Sequence, residues 1–345
     1  MNHYIGIDFS KKETHYCVLD EKGEKVRSGK VDTPLVKIRQ AVEKQMSEAF
    51  VHVAIETGPL AFLISRQLRE SGASVHVVNP YRNALIRQST AKTDRLDAKQ
   101  LAHQLWKENL PLRVYIPSEG CEDLRRLVSA RARLISTRTA LANRAIRLAD
   151  RYQISNPRSA YTRWATWEKL ADVSQQWKLV DRQMAEEYVA MSERVFPQIV
   201  QTEKAMVALA ESLFPTEFKL LKTIPGFGTV TAAALLAYIE EIKRFHTARQ
   251  LARYFGLTPA IRESSGHKSG GGICKEGNSR VRAYLVQAAI HAAQHKALQP
   301  WYENVRTRRG WKKARVAMAR KLAYITFGVL THGEPFDEKK IPKPA

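Results

Sequence analysis

The stretch Tyr4-Ile5-Gly6-Ile7-Asp8-Phe9-Ser10 constrains this chain more than any other. Tyr4, Ile5 and Ile7 favour a strand, and a lone acid stands where the apolar run stops. A carboxylate at the end of a buried strand is unfavourable unless something matches its charge. A hard metal cation shared among several carboxylates is one such match. The chain offers three further acids for that purpose, Glu56, Asp94 and Asp97.

The elements that follow decide whether those acids can converge. Residues 3 to 9 read as a first strand, Thr14 to Leu19 as a second, and Lys25 to Val31 as a third after a turn at Glu21-Lys22-Gly23. Leu35, Ile38, Val42 and Met46 recur at helical spacing over 35 to 48. Val51 to Ile55 forms a fourth strand that runs into Glu56-Thr57-Gly58. A helix through Leu60, Leu63, Ile64 and Leu68 stops at Gly72, and Ser74 to Val78 is a fifth strand. Three hairpin-linked strands followed by alternating helix and strand give a mixed sheet with helices on its faces. That order resembles an α/β RNase H-like fold of the RuvC-like branch. There, acids sit on the first strand, at the end of the fourth, and on a later helix. Asp8 and Glu56 fall on the first two positions.

Lys92-Thr93-Asp94-Arg95-Leu96-Asp97-Ala98 supplies the rest. A helix starting near Thr93 puts Asp94 and Asp97, three apart, on one face. Two acids in a first turn also suit the positive end of a helix dipole, without any catalytic role. Oxygen ligands from three separate elements fit a magnesium (or manganese) site better.

Charge points to the partner. Lys and Arg number 56 against 34 acids, a net charge of +22. The excess is clustered, which favours a polyanion, above all nucleic acid. No apolar run reaches bilayer length, so no membrane partner is expected, and the N-terminus has no signal-peptide pattern. Three scattered cysteines argue against disulfides and for a reducing cytoplasm. From about Glu119 leucines recur every seven residues at 127, 134, 141 and 148. Arg125, Arg126, Arg131, Arg133, Arg138, Arg144, Arg147 and Arg151 lie on that helix and suit phosphate backbones. Residues 159 to 195 continue as helix with Trp164, Trp167 and Trp177 as core or dimer contacts. Phe196-Pro197 breaks it, and another helix spans 199 to 213.

The C-terminal part holds three further features. Ile224-Pro225-Gly226-Phe227-Gly228 between two helices has a helix-hairpin-helix pattern, with Gly226 and Gly228 opening backbone N–H groups to a phosphate. Residues 262 to 275 form a glycine-rich loop whose Lys268 and Lys275 face developing phosphoryl charge. Arg308, Arg309, Lys312 and Lys313 lead a last basic cluster suited to nucleic acid. His291 and His295 have metal-ligand spacing but no third ligand.

Taken in order, Gly6-Ile7-Asp8, Ile55-Glu56-Thr57-Gly58, the Asp94/Asp97 segment, Ile224 to Gly228, Gly256-Leu257-Thr258-Pro259 and Glu263-Ser264-Ser265-Gly266 resemble the insertion-sequence 110 family of DEDD transposases and related DNA invertases. The resemblance spans nearly the whole chain. It implies a RuvC-like DEDD domain over 1–118, a coiled-coil connector and dimerisation region over 119–214, and a mainly α transposase domain over 215–345. It implies Asp8, Glu56, Asp94 and Asp97 as metal-binding acids and Ser264 as nucleophile, with Ser265 the neighbouring alternative. It further implies donor and target DNA, a structured guide (bridge) RNA, a dimer that becomes a tetramer in synapsis, and a bacterial, nucleoid-associated setting. A metal-dependent junction nuclease using water would need the same acids without the serine.

Overall fold

A computed structural model of the chain describes residues 1–9, 13–32, 35–58, 60–79, 94–111, 113–264, 267–273 and 277–340. The chain divides into two compact units, Met1–Glu119 and Gly120–Ala345.

The first unit runs β1 (Asn2–Phe9), β2 (Glu13–Leu19), β3 (Lys25–Asp32), α1 (Leu35–Met46), β4 (Phe50–Glu56), α2 (Ala61–Glu70), β5 (Ser74–Val78), α3 (Asp94–Trp106) and β6 (Arg113–Val114). The strands form one mixed sheet in the order β3-β2-β1-β4-β5-β6. The β1–β2 and β2–β3 pairs are antiparallel, as hairpins require, while β1–β4 and β4–β5 are parallel, linked through helices. Every strand and helix expected from the sequence up to Val78 is present, with ends shifted by one or two residues.

Both faces of the sheet are covered, and the period of two sorts residues between them. Ile5, Ile7, Val53, Ile55, Val75 and Val77 pack with Ile38 and Val42 of α1 and Ile64 and Leu68 of α2. On the other face, Ala54 and Val78 pack with Leu101 and Leu105 of α3, and Cys17 and Leu19 with Ala102. Gly6 belongs to this second face. A Cβ there would lie 2.0 Å from the Ala98 carbonyl oxygen and 2.5 Å from the Ala102 nitrogen. The glycine is what lets α3 lie directly on β1.

The second unit begins with α4 (Glu119–Asp150), followed by α5 (Trp164–Ser174) and α6 (Leu179–Leu213). The sequence predicts a break at Pro197, but α6 runs through it. An interior proline forgoes one hydrogen bond and clashes with the preceding turn, at about 3 kcal/mol. Burial of Ser192 and Ile199 on either side, and of Met206 and Ala210 further on, offsets that. The interruption falls earlier, between α5 and α6. Trp167 and Trp177 are buried with Leu141, Leu148 and Tyr161 in a core of their own, so these tryptophans pack the helices.

Then come α7 (Pro215–Lys222), α8 (Thr229–Ile239), α9 (Ala248–Tyr254), β7 (Pro259–Ser264), β8 (His267–Ile273), α10 (Ser279–Ala292), α11 (Gln299–Arg309) and α12 (Trp311–His332). The α8 helix is apolar on every side and buried from Ala232 to Ile239 at the centre of the main core of this unit. The segment read as a glycine-rich loop is instead a β-hairpin, β7 against β8, with Ser264 opposite His267. That register leaves a two-residue connection, Ser265-Gly266, which lies outside the described residues, as do Thr93 and Lys275. The two histidines share no helix face either. His291 is exposed on α10, while His295 lies beyond its end, against Glu338 and Phe336.

The contact at Gly6 makes a direct prediction. Gly6→Ala should lower the unfolding free energy by about 1–3 kcal/mol, because backbone rather than a flexible side chain must give way. Urea unfolding measures it. An unchanged midpoint would show that α3 shifts freely on the sheet.

Candidate active site

Register brings the first two acids together. The last recorded pair between β1 and β4 is Ile7 with Ile55, so Asp8 and Glu56 follow side by side, on the face that carries Gly6 and Ala54. Helix α3 brings the others. Its Ala98 and Ala102 lie over Gly6, and its far end, at Leu105 and Trp106, shares its hydrophobic clusters with Tyr4. The helix therefore runs antiparallel to β1. A step of two residues along a strand and one turn of helix cover about the same length, near 6 Å. The turn before Ala98 thus falls over Asp8, and that turn contains Asp94 and Asp97.

Asp97 stands four residues before Leu101 in the stripe of α3 that faces the sheet. It is only 7% exposed. Oε1 of Glu56 and Oδ1 of Asp97 are both out of solvent. Asp94 opens the helix, and its side chain is outside the described residues. The N-terminal end of α3 points its positive partial charge at this cluster, which favours carboxylates there. Among the described residues no three His, Cys, Asp or Glu side chains already stand close enough to share a metal ion. The donor set is nonetheless all carboxylate oxygen, drawn from two strand ends and one helix. That is the chemistry a hard divalent cation takes.

Sequence reasoning missed one neighbour. His15 on β2 pairs directly with Asp8, on the same face, and Lys30 on β3 pairs with His15. The hairpin register was the signal, since it follows once the ends of β1 and β2 are set.

The structure sorts the expected nucleic-acid contacts into two groups. Arg125 donates to the Ala237 carbonyl at 2.7 Å and lies over Tyr238, satisfying the end of α8. Arg131 pairs with Glu203 at 2.6 Å and donates to Tyr284. Arg126 is paired with Glu122 and Asp123 of its own helix. Arg138 lies over Phe196, and burial, then the neighbouring Arg131 charge, lower its guanidinium pKa. Arg133, Arg144 and Arg147 are exposed. Gly226 has φ +82°, and a Cβ on it would lie 2.4 Å from the Ala288 carbonyl, so packing on α10 already requires this glycine. Gly228 caps α8, with nothing within 4 Å of where its Cβ would be. Lys268 pairs in register with Glu263. Arg308, Arg309, Lys312 and Lys313 are exposed around the junction of α11 and α12.

Known proteins share these regions. A profile described as transposase, of the DEDD type of the IS110 group, matches residues 5–154, which hold all four acids. A second, described as the transposase IS116/IS110/IS902 family, matches residues 218–304, which hold Gly226, Gly228 and Ser264. The transposase for insertion sequence element IS1111A of Coxiella burnetii is 26% identical, over 96% of this chain and 90% of its own. The transposase for insertion sequence element IS1328 of Yersinia enterocolitica is 25% identical, over 97% and 98%. A pilin gene-inverting protein of Moraxella lacunata is 33% identical over a shorter stretch, 35% of this chain and 38% of its own.

The two groups of arginines should separate experimentally. Arg131→Ala should destabilise the protein by about 1–3 kcal/mol, since it strands part-buried Glu203. Arg133→Ala should change stability by less than about 0.5 kcal/mol. If Arg133 contacts duplex phosphate, its loss lowers the salt slope of DNA binding by about 0.9. Denaturant melts and DNA titrations at several salt concentrations measure both. Equal destabilisation by the two changes would refute the sorting.

Proposed function

This chain belongs to the IS116/IS110/IS902 family of transposases, and from that premise we propose that it cuts and rejoins DNA through a serine ester, with its carboxylate cluster beside the scissile phosphate. As a transposase it acts on DNA. The observation that carries the finer reading is the register of β1 with β4, which sets Asp8 beside Glu56 under the first turn of α3. An RNase H-like (RuvC-like) assignment for the first unit is supported by the strand order β3-β2-β1-β4-β5 with its two parallel pairs. A helix-hairpin-helix role for α7 and α8 is supported by the open N-terminus at Gly228. In functional terms we divide the chain at 1–118, 119–214 and 215–345.

Asp8, Glu56, Asp94 and Asp97 would hold Mg²⁺ (or Mn²⁺), which when bound stabilises charge on the phosphate and makes a hydroxyl easier to ionise. The protein supplies the nucleophile, Ser264. Its oxygen attacks phosphorus, an Oγ–P bond forms, and the bond from phosphorus to one deoxyribose oxygen breaks. The freed deoxyribose hydroxyl takes up the proton that the serine gives up. Attack by a hydroxyl of a second strand reverses the exchange, restores the serine and consumes no water. Ser264 ends β7 at the tip of the hairpin, a position suited to reaching into another molecule.

The remaining partners follow the same reading. A structured guide RNA would pair with donor and target DNA, leaving the protein to bind backbones. Val180, Met184 and Met191 are exposed on α6, an apolar stripe suited to a second copy of the chain. We place the acids and the serine of one active site on different protomers of a tetramer. The other reading, a metal-dependent nuclease using water, shares the acids and dispenses with Ser264.

Covalent trapping separates the two. Protein, guide RNA, Mg²⁺ and labelled donor and target DNA are resolved on a denaturing gel. A protein–DNA adduct is expected for the wild type and for Ser265→Ala, and none for Ser264→Ala or Asp8→Asn. Cleavage without adduct that survives both serine changes would establish the nuclease.

A further inference from the structure

A wide groove of about 1030 Å³ lies in the second unit, between α11, α12 and the base of the β7–β8 hairpin. Its floor is apolar, formed by Leu257, Ile273, Val305, Val316 and the rings of Trp301 and Tyr324. Its rim is cationic, with Arg309, Lys312, Lys313, Arg320 and Lys321. The described lining has no acid and no Ser, Thr, Asn or Gln. The Lys321 ammonium sits 4.6 Å from the Trp301 ring centre, and Arg320 donates to the Tyr324 hydroxyl at 3.0 Å. Trp311, the residue before Lys312, is 51% exposed, with the Arg315 guanidinium 5.0 Å from its ring centre.

Five cations with no acid among the described lining call for a polyanion. The apolar floor narrows the choice. A duplex turns phosphates and sugars outward and keeps its base faces stacked inside, so it has little flat apolar surface to lay on such a floor. An unpaired strand has both parts, phosphates for a cationic rim and base faces for aromatic and apolar walls. RNA readers make hydrogen bonds to the 2′-hydroxyl. That hydroxyl both donates and accepts, so the Lys and Arg rim serves either nucleic acid. Pro259 and Ile273 pair at the base of the hairpin, within the groove wall, and Ser264 lies at the other end of β7, roughly 16 Å away. A strand in this groove leads toward the serine.

We propose that this groove seats an unpaired stretch of DNA, its bases on the Trp301–Val316 floor and its phosphates on the cationic rim. The proposal goes beyond backbone binding by the α11–α12 cluster. The choice of DNA over RNA rests on the strand-transfer reading above.

The test uses the full-length protein in EDTA, so that no cleavage is required. Fluorescence anisotropy compares a labelled single-stranded DNA, an abasic strand of equal length, the matching duplex and the matching RNA. The base-bearing strand should bind about tenfold more tightly than the abasic one, the equivalent of one stacked base. Trp301→Ala should bring the two together. Lys312→Ala/Lys313→Ala should weaken both equally and lower the salt slope by about 1.4. Should Trp301→Ala unfold, photocross-linking of 5-bromouracil DNA to the wild type, mapped by mass spectrometry, gives the same answer at Trp301 or Tyr324. Equal binding of the abasic strand, cross-links only outside the groove, or equal dependence of duplex binding on Trp301 would overturn the proposal. Tighter RNA binding with cross-links at Trp301 would overturn it in favour of an RNA site. Base-dependent binding in a protein that forms no serine adduct would leave the groove standing and sink the strand-transfer reading alone.

Discussion

The backbone of α3 meets β1 at Gly6 with no room for a methyl group, and the carboxylate cluster depends on that contact. A helix resting on ordinary side chains would stand several ångströms further from the sheet. Its first turn would then sit in solvent, where Asp94 and Asp97 are unremarkable surface acids. Held against the sheet, the same turn brings a 7% exposed Asp97 over the ends of β1 and β4. Small residues continue the arrangement, since Ala98 and Ala102 face the strand with no bulk to lift the helix. Glycine and alanines thus act through distance, and Asp97 gains burial because of it. Burial in turn makes its charge matter, because a carboxylate out of water interacts with cations and with other carboxylates far more strongly than an exposed one.

The second unit uses charge in the opposite sense. Its cations are abundant, and part of them is taken up by the fold. Arg125 closes the carbonyl end of α8, a helix buried all round and unable to turn its last carbonyls to water. Arg131 ties α4 to α6 through Glu203 and to α10 through Tyr284. Lysine could not replace either easily, since each guanidinium makes a directional hydrogen bond and also lies over a ring. A row of arginines on one helix is therefore not one surface. Arg133, Arg144 and Arg147 turn outward between residues that hold the helices together.

What the sequence revealed, and what it hid, follows from these physical differences. The strands and helices up to Val78 could be read because period two, period 3.6 and the turn glycines agree with one another there. The pairing of Asp8 with Glu56 was accessible because two strands ending in an acid, linked by helix crossovers, run parallel with their ends aligned. The β7–β8 hairpin was hidden by its own composition. Gly270, Gly271 and Gly272 sit in a strand although glycine is poor strand material, and they erase the alternation that would have marked it. The continuity of α6 was hidden because a proline predicts a break from local sterics alone, whereas the helix is held by burial on both sides of it. The partners of Arg125 and Arg131 lie 112 and 72 residues away, beyond any local pattern.

One consequence joins the two kinds of charge. Phosphate oxygens and carboxylates repel. Two unit charges 4 Å apart interact by about 1 kcal/mol in water and about 4 kcal/mol near a protein surface. A group of carboxylates therefore repels a nucleic-acid backbone unless cations offset it, and cations more than about 8–10 Å away are largely screened. Among the described residues, Lys30 pairs with His15 beside Asp8, and its ammonium is bound to Glu13. A divalent cation held among carboxylate oxygens, or protein cations close to them, would offset that repulsion. On the proposed reading, basic surfaces gather the polymer, and what the carboxylate end of the sheet has bound decides which phosphate comes close enough to react.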